Sequence, residues 1–265
     1  MITKILSWKS ANSFDDDLQM NLFYSPHHLA FFSKVNEKEF QTLYVFKRNS
    51  SELLYPELIH ECKETINNEL NININLAKIF ISDTPYTVIP EQLFDKNKIE
   101  DFLSSTRKKQ FDEISKSNSI IGLKINFLYD LPKSIDEYCL QHDIELKLWL
   151  IPFISNFLEN DNNINGISAI FIDKTITIIA HNNGKLLFSN DFNYQESLDA
   201  LYYIMLVYNE LHFNPEQIVL TVFGHISAES DIANQLKRYI AEVKFSNQDN
   251  LVEPALNYYS YLLKL

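Results

Sequence analysis

The chemistry open to this sequence is phosphate binding or metal binding, and it has few residues for either. Phosphates are gripped by glycine-rich loops, whose backbone amides come close to the ligand at positive φ. The chain has 4 glycines in 265 residues, where an average protein has about 7%. Gly122, Gly166, Gly184 and Gly224 stand singly, with no G-x-G and no Gly-Gly pair. No P-loop, dinucleotide fingerprint or G-x-S-x-G elbow occurs. The histidines are His27, His28, His60, His142, His181, His212 and His225, and no two form the i, i+4 pair of a helical zinc site. Adjacent His27 and His28 in a strand point to opposite faces. Neither cysteine has a CxxC partner, and Asp15-Asp16-Asp17 reads as a solvated cap before the first strand. The expectation is no metal, no cofactor and no catalytic set.

The bulk composition narrows the classes further. Apolar residues make up 46% and aromatic residues 13%, with 14 Tyr and 19 Phe, so the chain can bury cores without staples. A net charge of −12 argues against binding nucleic acid or an anionic membrane by charge. The basic cluster Arg107-Lys108-Lys109 reads as a solvated face. Cys62 and Cys139 fall on apolar helix stripes, and free cysteine there behaves as a small buried hydrophobe. Met1 to Asp17 has no apolar core of the signal-peptide kind, and no apolar run approaches the ~20 residues that span a bilayer. A reducing cytoplasm fits these features, with a protein partner still to be identified, no nucleic acid and no membrane insertion.

The elements that must position any site are clearest in the second half. Ile167–Ile172, Thr175–Ala180 and Lys185–Ser189 read as strands, and His181-Asn182-Asn183-Gly184 as a hairpin turn. A buried helix is expected from about Gln195 to His212, with Asn193 and Glu196 as its capping box. Ile218–Phe223 reads as a strand, Glu229–Ile240 as an amphipathic helix and Val243–Phe245 as a closing strand. In the first half, Gln19–Tyr24, His28–Val35 and Thr42–Lys47 read as strands, Pro56–Leu70 as a helix and Leu76–Ser82 as a strand. Residues 83–119 read as an insertion with an extended piece at Tyr86–Ile89, a short helix near Ile99–Leu103 and then a polar segment. Ile120–Tyr129 resumes as a strand, Lys133–Gln141 as a helix, Glu145–Leu150 as a strand, and a short helix follows Pro152. The loop Glu159–Asn165 is the expected domain boundary.

Several stretches carry a resemblance. They are Gly184-Lys185-Leu186-Leu187-Phe188-Ser189-Asn190, Leu201-Tyr202-Tyr203, Gln235-Leu236-Lys237-Arg238-Tyr239-Ile240, Tyr86-Thr87-Val88-Ile89-Pro90-Glu91 and Tyr258-Tyr259-Ser260-Tyr261-Leu262-Leu263. Together they resemble a Bacteroidetes family catalogued as domain of unknown function 3822, whose fold is actin-like. The resemblance spans nearly the whole chain and is densest from Gly184 to Tyr239. It implies a mixed α/β protein of two ribonuclease H-like β-β-β-α-β-α-β domains in an actin-like ATPase arrangement. Residues 1–160, with the insertion near 83–119, would form the first domain. Residues 161–265, ending in a tail, would form the second. The family brings no established activity or catalytic residues.

Active actin-like ATPases bind ATP in the cleft between the halves and open each domain with a hairpin bearing an Asp followed by glycines. The carboxylate works through a metal ion and the glycine amides hold phosphate. Here the first hairpin reads Phe23-Tyr24-Ser25-Pro26-His27-His28, with no acid, no glycine and a donor removed at Pro26. In the second, Phe171-Ile172-Asp173-Lys174-Thr175-Ile176, Asp173 is in place but Lys174 stands where those enzymes have glycine. The adenosine loop has Gly224-His225-Ile226-Ser227 in place of a Gly-Gly pair.

All three loops depart from the pattern. The expected function is therefore a degenerate, non-catalytic actin-like module acting through protein contacts. The alternative is a nucleotide or small-ligand binder using the interdomain cleft through Asp173, Thr175, Gly224 and Ser227. Tyr258, Tyr259 and Tyr261 end the chain on an apolar segment that either packs back on its own domain or docks a partner.

Overall fold

The structure is a computed structural model describing residues 2–10, 17–48, 55–82, 84–105, 112–160, 165–246 and 254–265. Asp15, Asp16, Arg107-Lys108-Lys109 and most of the 159–165 loop lie outside the described residues. The chain divides into two compact units, Met1–Pro152 and Phe153–Leu265.

The first unit contains β1 (Ile2–Lys9), β2 (Asp17–Tyr24), β3 (His28–Asn36), β4 (Glu39–Arg48), α1 (Tyr55–Leu70) and β5 (Asn73–Ile81). It continues through β6 (Tyr86–Pro90), α2 (Ile99–Ser104), β7 (Glu113–Ile120), β8 (Ile125–Pro132), α3 (Lys133–Gln141) and β9 (Glu145–Leu148). Its main sheet runs β1-β4-β3-β2-β5-β9. The hairpin strands pair antiparallel, whereas β2, β5 and β9 are parallel. Such parallel pairing needs a covering crossover. Helix α1 supplies one, with Leu58, Ile59, Cys62 and Ile66 fully buried on one stripe. Strands β6, β8 and β7 form a separate three-stranded sheet in that order. Against it Ile99 and Leu103 of α2 pack on Ile89 and Leu128. The polar segment after α2 thus includes a strand, β7, and the strand expected at Ile120–Tyr129 begins at Ile125 after a short 3-10 turn at Ile121–Leu123.

The second unit begins within α4 (Leu150–Asn160), where Pro152 stands in the first turn, the place a helix tolerates it. It continues through β10 (Gly166–Ile172), β11 (Thr175–Asn182), β12 (Lys185–Asn193), α5 (Ser197–Glu210), β13 (Val219–Gly224), α6 (Asp231–Tyr239), β14 (Val243–Phe245) and α7 (Pro254–Asn257). A closing 3-10 turn covers Ser260–Lys264. The sheet order is β12-β11-β10-β13-β14, the same order as β4-β3-β2-β5-β9 in the first unit. Central β10 is buried along its whole length, as expected of a strand covered on both faces. Ile167, Ala169, Phe171, Ile176, Ile178, Leu220 and Val222 form one core with Leu201 and Ile204 of α5 and Leu236 of α6. On the opposite face Phe223 meets Phe153 of α4 edge to face, 5.3 Å between centroids.

Local chemistry accounts for the joints. Asn183 and Gly184 both take positive φ, 50° and 70°, as a tight hairpin between twisted strands requires. The capping box of α5 is made by Glu196 and Asp199, not by the expected Asn193 and Glu196. Asp199 accepts from the backbone amides of Gln195 and Glu196, both 3.0 Å away.

Candidate functional site

The residues that would hold a phosphate in this topology lie on the β10–β11 turn and at the end of β13. Asp173 takes a φ of 55°, a left-handed conformation that Asp tolerates in tight turns. Its side chain is only 5% exposed, whereas Lys174 beside it is exposed. The backbone around it is already engaged. The Asp173 amide donates to Nδ1 of His225 at 3.3 Å, and the His225 amide donates to the carbonyl of Phe171 at 2.7 Å. The Tyr194 hydroxyl donates to the Asp173 carbonyl at 3.3 Å. Nδ1 of His225 stands 4.0 Å from the Asp173 carboxylate.

The chain's own tail closes this site. The rings of Tyr259 and Tyr261 lie 5.1 Å and 6.2 Å from the His225 ring, and both residues are buried. Burial pushes the Tyr259 phenol up to about 12, and the Asp173 carboxylate adds to the shift. The Tyr261 phenol is pushed well above its ordinary value by burial first, then by Tyr259 and Asp173. Tyr194 is raised by burial and by Asp173. The carboxylate is therefore surrounded by phenols that stay neutral at physiological pH and by an imidazole.

Packing requires a glycine at Gly224. A Cβ there would come 2.1 Å from the Phe171 carbonyl oxygen, and its φ is 89°. The absent side chain lets β13 close against β10. Thr175 donates to Asn193 of β12 at 3.1 Å. The Ser227 carbonyl accepts from the Ser230 hydroxyl, and that hydroxyl accepts from the Ala233 amide as the cap of α6. Of the four residues proposed for a ligand, the structure brings Asp173 and Gly224 to one place, while Thr175 and Ser227 serve neighbouring turns. His225, Tyr259 and Tyr261 complete the cluster around Asp173. No spacing in the sequence signals that the tail meets this hairpin, and only the imidazole of His225 beside a lone glycine marks the loop. Of the three tail tyrosines, Tyr258 remains 41% exposed.

The matching turn of the first unit is closed in the same spirit. Ser25 is fully buried, and its hydroxyl accepts from the His28 amide at 3.0 Å and donates to the His28 carbonyl at 3.1 Å. The Arg48 amide holds the His27 carbonyl at 2.8 Å. Among the described residues no group of three or more His, Cys, Asp or Glu side chains could hold a metal. Cys62 and Cys139 are buried, and burial pushes the Cys139 thiol up to about 12 and the Cys62 thiol further. No helix among the described residues is long and apolar enough to cross a membrane.

A twice-used β-β-β-α-β-α-β topology with a β10–β11 hairpin beside the end of β13 defines a protein of the actin-like ATPase fold. A Bacteroides thetaiotaomicron protein of that fold and of unknown function superposes with a TM-score of 0.74 at 21% identity, covering 93% of this chain and 95% of that one. The chain belongs to the family of proteins of unknown function whose model matches residues 24–243, domain of unknown function 3822. A chain of the PilM-PilN type IV pilus biogenesis complex matches at a TM-score of 0.56 and 10% identity, over 93% of this chain and 97% of that one. The ethanolamine utilization protein EutJ from Carboxydothermus hydrogenoformans matches at 0.51 and 11%, over 96% and 91%. No curated protein matches the chain.

Proposed function

We propose that this protein is a non-catalytic member of the actin-like fold that works through protein–protein contacts. The observation that carries the reading is the closure of the Asp173 hairpin by the protein's own His225, Tyr259 and Tyr261. In an active site of this fold the hairpin amides and carboxylate must meet a metal–phosphate group. Here the Asp173 amide is hydrogen-bonded to His225, and the first unit's turn is tied up by Ser25. The same fold occurs in a protein assembly, the PilM-PilN complex, so a contact role is within its range; fold alone does not assign a function.

Thermal-shift titration with ATP, ADP and GTP, with and without magnesium, tests the reading. A ligand at 100 times its dissociation constant adds about 2.7 kcal/mol, a rise of about 5 °C for a protein this size. The expected result is no shift at millimolar nucleotide. A shift that Asp173→Ala removes would replace this reading with nucleotide binding.

A further inference from the structure

Helices α1 and α3 of the first unit leave a groove of about 740 Å³ between them. On the α1 wall stand Glu57, Glu61 and Glu64, spaced i, i+4 and i+7, so that they form one stripe along the helix. All three are exposed. On the α3 wall the rings of Tyr138 and His142 lie 4.3 Å apart at 31°. The ring of His142 is held by Nδ1 against the Tyr138 carbonyl at 2.9 Å. Tyr138 is half-buried and its phenol raised by desolvation, so an aromatic surface sits beside a row of carboxylates.

Four acids of this unit are held by cations. Glu69 is held by Lys4, Asp136 by Lys116, Glu137 by Lys133, and Glu145 by Lys78 and Lys147. No ion pair among the described residues engages Glu57, Glu61 or Glu64. Like charges at these spacings repel along a helix, and a cationic segment laid in the groove would relieve that repulsion. From Glu57 to Glu64 the row runs about 10 Å along the axis at the ordinary helical rise. A second helix alongside matches that distance with Lys or Arg at its own i, i+4 and i+7 positions.

Resting on the reading of the protein as a contact module, we propose that the α1–α3 groove docks a basic amphipathic helix of a protein partner. The partner's Lys or Arg side chains pair with Glu57, Glu61 and Glu64, and an apolar side chain beside them lies on Tyr138 and His142. This is the helix-in-groove mode, in which pockets give grip and charge gives register and on-rate.

The test uses the full chain and a fluorescein-labelled helical peptide with Lys at i, i+4 and i+7 and Leu and Phe on the adjoining stripe. A twin with Glu in place of Lys is the control. Fluorescence anisotropy should show binding that weakens at least tenfold in the triple variant Glu57→Gln/Glu61→Gln/Glu64→Gln. It should be unchanged in Glu210→Gln/Glu216→Gln/Glu229→Gln, which has the same net charge but acids elsewhere on the surface. A benzophenone on the peptide should crosslink to residues 56–68 and 138–142. Equal binding by the two triple variants, equal binding of the Glu twin, crosslinks confined to other surfaces, or no binding up to millimolar peptide would each overturn the proposal. Nucleotide titrations of the same preparation separate the two readings. A nucleotide-induced shift that Asp173→Ala removes replaces the contact-module reading with nucleotide binding whatever the peptide does, and a peptide failure with flat nucleotide titrations sinks the groove alone.

Discussion

At Gly224 the backbone leaves no room for a side chain. The 2.1 Å approach to the Phe171 carbonyl is to backbone, which cannot swing away as a flexible side chain could, and the φ of 89° is itself unfavourable for any other residue. Gly224→Ala should therefore cost about 3 kcal/mol or more, since overpacking and strained backbone add together. Urea denaturation followed by circular dichroism reads the loss, and a cost within about 0.5 kcal/mol, typical of a surface change, would show that β13 can shift. Tyr259 gives a second test at this scale. Its phenol sits at about 12 in the folded protein, against about 10 unfolded. A raised folded value means the neutral phenol's contribution is complete below about pH 10 and is lost as the pH rises through the folded value. Urea midpoints taken from pH 8 to 11.5 should fall more steeply for the parent than for Tyr259→Phe. Parallel slopes would place the phenol in water.

Among the elements, the tail shows how a short segment can close a site. Leu256, Tyr259, Tyr261, Leu262 and Leu263 are buried while Tyr258 is exposed, so the tail inserts most of its apolar side chains and leaves Tyr258 in solvent. Tyr261→Ala removes a fully buried ring and should cost about 3–5 kcal/mol, in the range of other aromatic-to-alanine changes. Tyr258→Ala should stay within about 0.5 kcal/mol. Equal effects in chemical denaturation would mean that the tail is not seated as described. The central strands β10 and β11 of the second unit were legible because they are apolar and buried along nearly their whole length. β7 was not legible, because Glu113–Ile120 is an edge strand of half-exposed, largely polar residues held by its pairing with β8. β1 escaped for a similar reason: most of its side chains are exposed, and it joins the sheet only along β4. The Asp173 hairpin could be placed from the sequence. The wall around it could not, because His225 and Tyr261 reach it from other elements and periodicity says nothing about which loops meet.

Over the whole molecule, charge decides which partners are excluded and which are favoured. A formal charge of −12 repels a polyanion over distances of about a Debye length, roughly 8 Å at physiological salt, and more at low salt. Nucleic-acid binders gain affinity by releasing condensed counterions through Lys and Arg contacts with phosphate. Here 23 Lys and Arg face 35 Asp and Glu, and Lys4, Lys78, Lys116, Lys133, Lys147 and Lys244 are each held by a carboxylate. A 30-base-pair duplex should accordingly show no mobility shift with up to about 100 µM protein at 50 mM salt, where basic proteins bind non-specifically with constants of about 1–100 µM or tighter. A shift would be informative in its own right. The only run of three consecutive cations in the sequence is Arg107-Lys108-Lys109, so Gln substitutions there should weaken it most. The same arithmetic favours cationic partners, whose association should slow as salt is added. Net charge and the unpaired glutamates of α1 thus point the same way, toward a basic protein surface rather than a phosphate backbone.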